Sequence, residues 1–185
     1  MNKPVIHSTS IDKLKLIEFK PISDERGFFN RLFCEITLSH LMDGKKIQQI
    51  NRTLTKKKSA VRGFHFQFPP HAEVKIVTCL KGKVWDVAID LRKGSPTFLH
   101  HHATLLTEDN YRSYFIPEGF AHGFQTLTSN CEMLYFHTAS YRKESEGGIN
   151  AIDPAVAIDW PHPISERSER DINHLMLTEA FKGVN

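Results

Sequence analysis

Apolar and polar residues alternate in short runs along most of the chain, and turn residues separate the runs. Strand-like alternation covers Leu14 to Phe19, Phe28 to Phe33, Ile47 to Thr55, Ala60 to Gln67, Glu73 to Leu80 and Val84 to Asp90. It resumes over Thr97 to Leu106, Arg112 to Ile116, Ala121 to Thr126 and Cys131 to Thr138. The punctuation is Asp24-Glu-Arg-Gly27, Pro69-Pro70, Lys81-Gly82, Lys93-Gly-Ser-Pro96 and Pro117-Glu-Gly119, all residue types that supply tight turns. Short strands at this regular spacing predict an all-β fold, closed into a barrel or jelly roll. Glu35 to Met42 and Asp171 to Phe181 suit short peripheral helices. Without an internal repeat, low-complexity tract or linker, residues 1–185 read as one domain.

Two of these strands carry chemistry. Strict alternation sets His65 on the face of Val61 and Gln67, opposite Arg62, Phe64 and Phe66. An imidazole beside apolar Val61 is either a satisfied core histidine or a partly desolvated base. Along Gly82 to Arg92, Asp86 and Asp90 share a face with Val84 and Ala88, opposite Trp85, Val87 and Ile89. Either that face is solvated, or it turns inward and the carboxylates need partners.

A chain of 185 residues can bury a substantial core, and 40% hydrophobic with 24% charged residues is an ordinary globular balance. A net charge of +3, with no basic run longer than Lys56-Lys57-Lys58, gives no support for a nucleic-acid partner. Cys34, Cys79 and Cys131 lack CxxC spacing, which indicates neither a disulfide framework nor a zinc site; a reducing cytoplasm is the default. No stretch approaches the ~18 apolar residues of a membrane span, and the N-terminal segment has no signal-peptide core.

No glycine-rich phosphate loop and no serine nucleophile elbow occurs, so nicotinamide, ATP and serine-hydrolase chemistry have no support. His100-His101-His102 would point to both faces of a strand and not converge on one ion. A metal set of His65, His71, Glu73 and His122 can be drawn, but its spacing does not recommend it. His65, Lys75, Asp86, His122 and Tyr135 form a more coherent group. They offer a base, a phenolic acid and a cation for an oxyanion, the means to form and quench an enolate beside a carbonyl. Spacing does not show that they meet.

The motifs settle the matter of kinship. Asp24-Glu-Arg-Gly-Phe-Phe29, Gln49-Ile-Asn51, Arg62-Gly-Phe-His-Phe-Gln67, Lys75-Ile-Val77, Gly82 to Arg92, Ser95-Pro-Thr-Phe98 and Ile116-Pro-Glu-Gly-Phe-Ala-His-Gly-Phe124 follow in order. Tyr135, Gly147-Gly-Ile149, Asp153-Pro154 and Asp159-Trp-Pro161 complete the series. From about Leu16 to Leu177 the chain resembles the dTDP-4-dehydrorhamnose 3,5-epimerase family of nucleotide-sugar enzymes. The resemblance implies a homodimeric cupin-type jelly roll with no metal and no redox cofactor. It implies a nucleotide-diphospho-sugar substrate whose C4 ketone acidifies the protons at C3 and C5.

By the same resemblance His65 is the base, Asp171 its acidic partner, Tyr135 the acid on the opposite face and Lys75 the cation at the C4 oxygen. Such a carboxylate favours imidazolium and raises the histidine's basicity. Arg26 and Arg62 match arginines that reach the diphosphate or sugar, a bidentate task that suits guanidinium. Gln49, Asn51, His122, Tyr141, Glu146 and Arg170 match other ligand contacts. Strand exchange between subunits would carry Arg26 into the partner's site. At Arg31 the thymidine enzymes commonly have a glutamate. Arginine offers only donors, which suits guanine O6 and N7 better than thymine N3–H, so a GDP-sugar is the alternative substrate. Leu99 and the following histidines also depart from the family pattern. Single-centre epimerisation, 3,4-ketoisomerisation, a non-catalytic sugar-nucleotide-binding barrel and a metal-dependent cupin dioxygenase are the rival readings.

Overall fold

The computed structural model describes residues 3–185; Met1 and Asn2 lie outside the described residues. Two antiparallel sheets face each other. The six-stranded sheet contains β1 (Val5–Ser8), β2 (Lys15–Glu18), β5 (Gln49–Thr55), β7 (Lys75–Lys81), β10 (Arg112–Ile116) and β12 (Cys131–His137). Its strand order is β1-β2-β10-β7-β12-β5. The second contains β6 (Val61–Gln67), β8 (Lys83–Asp90), β9 (His101–Thr107), β11 (Phe120–Thr126) and β13 (Glu146–Gly148), in the order β13-β6-β11-β8-β9. A separate hairpin joins β3 (Ile22–Asp24) to β4 (Gly27–Phe29). The helices are α1 (Glu35–Met42) and α2 (Glu169–Ile172). This is the expected cupin-like jelly roll.

Three apolar layers hold it together. Val77, Cys79, Tyr114, Ile116 and Met133 meet Val84, Ala88, Leu106, Phe120 and Phe124 between the sheets. The C-terminal loops lay Ile149, Val156, Trp160 and Phe181 over the outer face of the five-stranded sheet. Helix α1 lays Leu38 and Met42 over Ile17, Ile76, Phe115 and Phe136 on the other outer face. Each burial removes apolar area from water at about 25 cal/mol per Å².

Four expectations need correction. The Phe28 strand stops at Phe29, because Leu32 and Phe33 turn in to pack on the α1 layer instead of extending a ladder. The Thr97 strand begins only at His101, since Ser95 and Thr97 spend their hydroxyls on Asp90 and Leu99 takes φ 64°. The C-terminal helix is one turn, α2. Beyond it the backbone is claimed by loop contacts: Asn150 donates to the carbonyls of Ile172 and His174, and Asp153 accepts from the Leu177 N–H. The short β1, β3 and β13 escaped the alternation signal; β13 reads Glu-Gly-Gly, with no apolar face to detect.

The fourth correction sets the site. Between β11 and β6, His122 pairs with His65 but Phe124 pairs with Arg62, so β6 holds one residue more than its partner. That extra residue is a bulge at Gly63, which reverses the parity of everything before it. Val61, Phe64 and Phe66 therefore pack together in the outer layer, while Arg62 and His65 both face the cleft. His65 does not share a face with Val61. Only glycine fits here: φ is +123°, and a Cβ would lie 2.5 Å from Gly123 Cα.

Candidate active site

A cleft of about 250 Å³ opens into the barrel between the sheets. Strand β5 contributes Gln49, Asn51 and Thr53, every second residue and hence one face; β12 contributes Tyr135 and His137 by the same rule. Arg62 and His65 come from β6, His122 and Phe124 from β11, and Lys75 from the first position of β7. Glu73, Tyr141, Glu146 and Arg170 complete the wall. Of the residues expected at the site, Gln49, Asn51, Arg62, His65, Lys75, His122, Tyr135, Tyr141, Glu146 and Arg170 are thus together.

Asp171 and Asp86 stand directly behind the lining. Asp171, 2% exposed, is placed by α2, whose N-cap Ser168 accepts the Asp171 N–H at 3.1 Å. Its Oδ1 meets His65 Nε2 at 2.6 Å, and its Oδ2 accepts the Gly63 N–H at 3.2 Å. Burial alone would raise its pKa, but the His65 hydrogen bond, the Gly63 N–H and the Arg170 charge hold it at about 2. An ionised Oδ1 requires the proton on Nε2 and leaves Nδ1 as the ring's lone pair. The Arg170 guanidinium lies 2.8 Å from Nε2 and 3.4 Å from Nδ1. With Nε2 already donating, Nδ1 is the one nitrogen able to accept from it.

The histidine's net shift differs from the expectation. Asp171 does favour imidazolium, yet desolvation is larger, and Arg170 and Lys75 add to it, so the His65 pKa falls. The ring rests neutral, the form a base needs. Lys75, 7% exposed, donates to the His65 carbonyl at 3.0 Å and lies 3.4 Å from Glu73. Burial raises the Tyr135 pKa, so its hydroxyl keeps its proton. The Tyr135 ring stands edge-on to His122 and stacks on His137.

Asp86 is fully buried beneath the cleft and receives His122 Nε2 at 2.8 Å, so the inward reading of β8 holds. Asp90 is equally buried. Burial would raise it, but bonds from Arg92, Ser95 and Thr97 hold it at about 2. Arg26 and Arg31 are elsewhere in the single chain. Arg26 pairs with Asp24 on the exposed hairpin, and Arg31 lines a separate groove with Phe29, Cys34 and Leu38.

Sequence reasoning passed over His137 and His174 and weighed Glu73 only as a metal ligand. Glu73 accepts from His137 Nδ1 at 2.9 Å and faces Lys75, a buried cluster inside the cleft. A carboxylate two residues before a strand lysine was the available signal. Among the described residues, the metal set drawn from sequence does not form; the group close enough to share an ion is His65, Asp171 and His174.

Fold and cleft define a jelly-roll isomerase equipped to move protons beside a carbonyl. The sequence profile of the dTDP-4-dehydrorhamnose 3,5-epimerase family matches residues 8–179. The dTDP-4-dehydrorhamnose 3,5-epimerase of Salmonella typhimurium is 40% identical over 179 residues, covering 96% of this chain and 97% of that one. Two solved structures are similar. The dTDP-6-deoxy-D-glucose-3,5-epimerase of Legionella pneumophila, in complex with dTDP-4-keto-L-rhamnose, superposes with TM-score 0.89 at 38% identity over 94% of this chain and 92% of its own. The dTDP-4-dehydrorhamnose 3,5-epimerase of Bacillus anthracis, with TDP and pyrophosphate bound, gives TM-score 0.90 at 32% identity over 94% and 99%. The chain belongs to the dTDP-4-dehydrorhamnose 3,5-epimerase family.

Proposed function

We propose that the protein inverts C3 and C5 of dTDP-4-dehydro-6-deoxyglucose in deoxysugar biosynthesis. The observation that carries this reading is one cleft holding a carboxylate-backed neutral His65, Lys75 and Tyr135. His65 takes the proton beside the C4 ketone. Charge builds on the C4 oxygen, where the Lys75 ammonium stabilises it, and the new imidazolium is stabilised by Asp171. Tyr135 delivers a proton from the other face, and the centre is inverted. Both steps are proton transfers at constant oxidation level, so the chemistry calls for no metal and no redox cofactor.

Arg62, Gln49, Asn51, His122, Tyr141, Glu146 and Arg170 hold the nucleotide-sugar at the mouth of the cleft. The working unit is a homodimer in which Arg26 serves the neighbouring site; Arg31 is the residue that would read the base of the alternative GDP-sugar. Supporting this, the β3–β4 hairpin exposes Ile22, Phe28 and Phe29, and the free edge strand β5 exposes Ile50 and Leu54. A monomer leaves so much apolar surface in water only at a cost. A cytoplasmic setting suits a nucleotide-sugar substrate; among the described residues no helix is long and apolar enough to cross a membrane.

The test is NMR of C3 and C5 in D2O with dTDP-4-dehydro-6-deoxyglucose and, separately, a GDP-4-keto-6-deoxy sugar. Deuterium at both carbons of the dTDP substrate is expected. His65→Ala should abolish exchange, and Tyr135→Phe should spare exchange more than inversion. Exchange retained in His65→Ala, or seen with the GDP substrate alone, would overturn the reading.

A further inference from the structure

His174 has no part in the proposed reaction, yet it is built into place. Its ring packs against Gly148, where a Cβ would collide with Cε1 and Nε2, and its carbonyl accepts from Asn150 Nδ2 at 3.0 Å. Its Nε2 is buried and has no hydrogen-bond partner among the described residues. That orphaned nitrogen lies 4.0 Å from Asp171 Oδ1, the same oxygen that meets His65 Nε2. The two imidazole rings stand edge to face, 5.8 Å between centroids. A buried imidazole nitrogen without a partner is costly unless something else binds there.

We propose that His65, Asp171 and His174 form a binding site for a divalent transition-metal ion such as zinc, which reversibly blocks the enzyme. The three ligand atoms already lie within 4.8 Å of one another. A tetrahedral zinc ion spaces its ligand atoms about 3.3 Å apart. The two separations from Asp171 Oδ1, 2.6 Å and 4.0 Å, straddle that value, and the third lies within 4.8 Å, so side-chain rotations that draw His174 inward would close the site. Two imidazoles and one carboxylate suit zinc, copper or nickel; magnesium and calcium prefer all-oxygen sets. The Gly63 N–H on Asp171 Oδ2 fixes the bridging carboxylate as an outer hydrogen bond does in metal sites.

The Arg170 guanidinium, 2.8 Å from His65 Nε2, must leave. It is half exposed and paired both with Glu146 at 3.0 Å and with Asp171 Oδ1 at 3.6 Å, so on swinging outward it keeps Glu146 while the incoming ion replaces its charge beside Asp171. Binding would then switch off the base by simple proton bookkeeping. The ion takes the Nε2 lone pair, the ring proton moves from Nε2 to Nδ1, and no basic lone pair faces the cleft. This consequence, unlike the site itself, rests on His65 being the base.

Calorimetric titration of metal-free protein with zinc chloride and magnesium chloride tests the site, using His174→Phe as the control. Phenylalanine keeps the ring against Gly148 and removes the nitrogen. One zinc per chain is expected, no magnesium in the same range, and binding about tenfold or more weaker in the variant. Equal zinc affinity in His174→Phe overturns the proposal. Should that variant not fold, His174→Ala is read the same way. Cobalt(II) added to the unaltered protein should also give visible absorption bands that zinc displaces, and their absence overturns the site. Zinc should stop deuterium exchange in the unaltered protein, with recovery on chelation. Zinc bound through His174 with exchange unaffected would overturn the block, since His65 could not then be both a ligand and the base.

Discussion

Asp171→Asn puts the histidine–carboxylate pair under the sharpest strain. Both oxygens act as acceptors, Oδ1 for His65 Nε2 at 2.6 Å and Oδ2 for the Gly63 N–H at 3.2 Å. Asparagine offers one acceptor and one donor group. If its oxygen stays with Gly63, its NH2 faces Nε2, which must give up its proton and accept. The ring proton moves to Nδ1, and the cleft loses its base. If the amide flips, a buried Gly63 N–H faces a donor at a cost of about 1–3 kcal/mol. Either way the imidazolium formed in the reaction loses its charged partner.

A hydrogen bond to a charged group contributes roughly 1.5–3 kcal/mol, which is about 10- to 150-fold in rate. The tautomer penalty comes on top, so kcat should fall by at least about 100-fold. Asp171 sits behind His65 and touches no substrate, so KM should stay within about threefold. The assay is deuterium incorporation at C3 and C5 under saturating substrate, from about pH 5 to 9, beside the unaltered enzyme. A variant within threefold of normal kcat, with an unchanged pH profile, would refute the orienting role of Asp171.

Three further outcomes are expected. Asp171 and Asp90 are both held at about 2 against the usual 3.8, so their stabilisation is complete above pH 3.8 and is lost as pH falls towards 2. Each contributes about 2 kcal/mol, and urea midpoints should drop over that window in the unaltered protein and less in Asp90→Asn; parallel curves would be contrary evidence. Gly63→Ala should lose about 2–4 kcal/mol, because its Cβ meets Gly123 backbone at a φ of +123°; a melting temperature unchanged within a degree or so would contradict the bulge. Glu73→Gln removes the charge that holds Lys75 and His137, so kcat should fall about tenfold with KM little altered; a change confined to KM would place Glu73 in substrate binding instead.

The barrel was legible because its strands are short, amphipathic and separated by glycine and proline, signals that act within a few residues. What stayed hidden depends on contacts between distant segments. Gly63 looks like any strand glycine, and only its pairing with β11 shows that it shifts His65 to the face of Arg62. Asp171 was reached through resemblance; no local pattern joins it to a histidine on β6. His137 and His174 were overlooked, and Glu73 was weighed only as a metal ligand, because each is a common residue in an ordinary segment, and their meaning lies in what they meet. The C-terminal helix failed for a similar reason: His174 to Leu177 is helix-compatible in isolation, but Asn150 and Asp153 claim its backbone.

The pairing of His122 with His65 across β11 and β6 sets two of the cleft's histidine–carboxylate pairs side by side, with His137–Glu73 nearby on the other sheet. Chain pattern alone cannot choose between them, since His65–Asp171 and His122–Asp86 have the same composition and similar contact distances. The surroundings of the two carboxylates differ. Asp171 receives the Gly63 N–H and the Arg170 charge as well as its histidine, and it is held ionised at about 2. Asp86 has a buried Oδ2 with no partner, and desolvation raises its pKa despite His122 and Lys75. A partner that keeps its charge can stabilise a newly formed imidazolium; one pushed towards neutrality does so less. Burial and hydrogen bonding behind the cleft thus favour His65 as the base, and leave the His122 ring packed in a T-shaped contact with Tyr135.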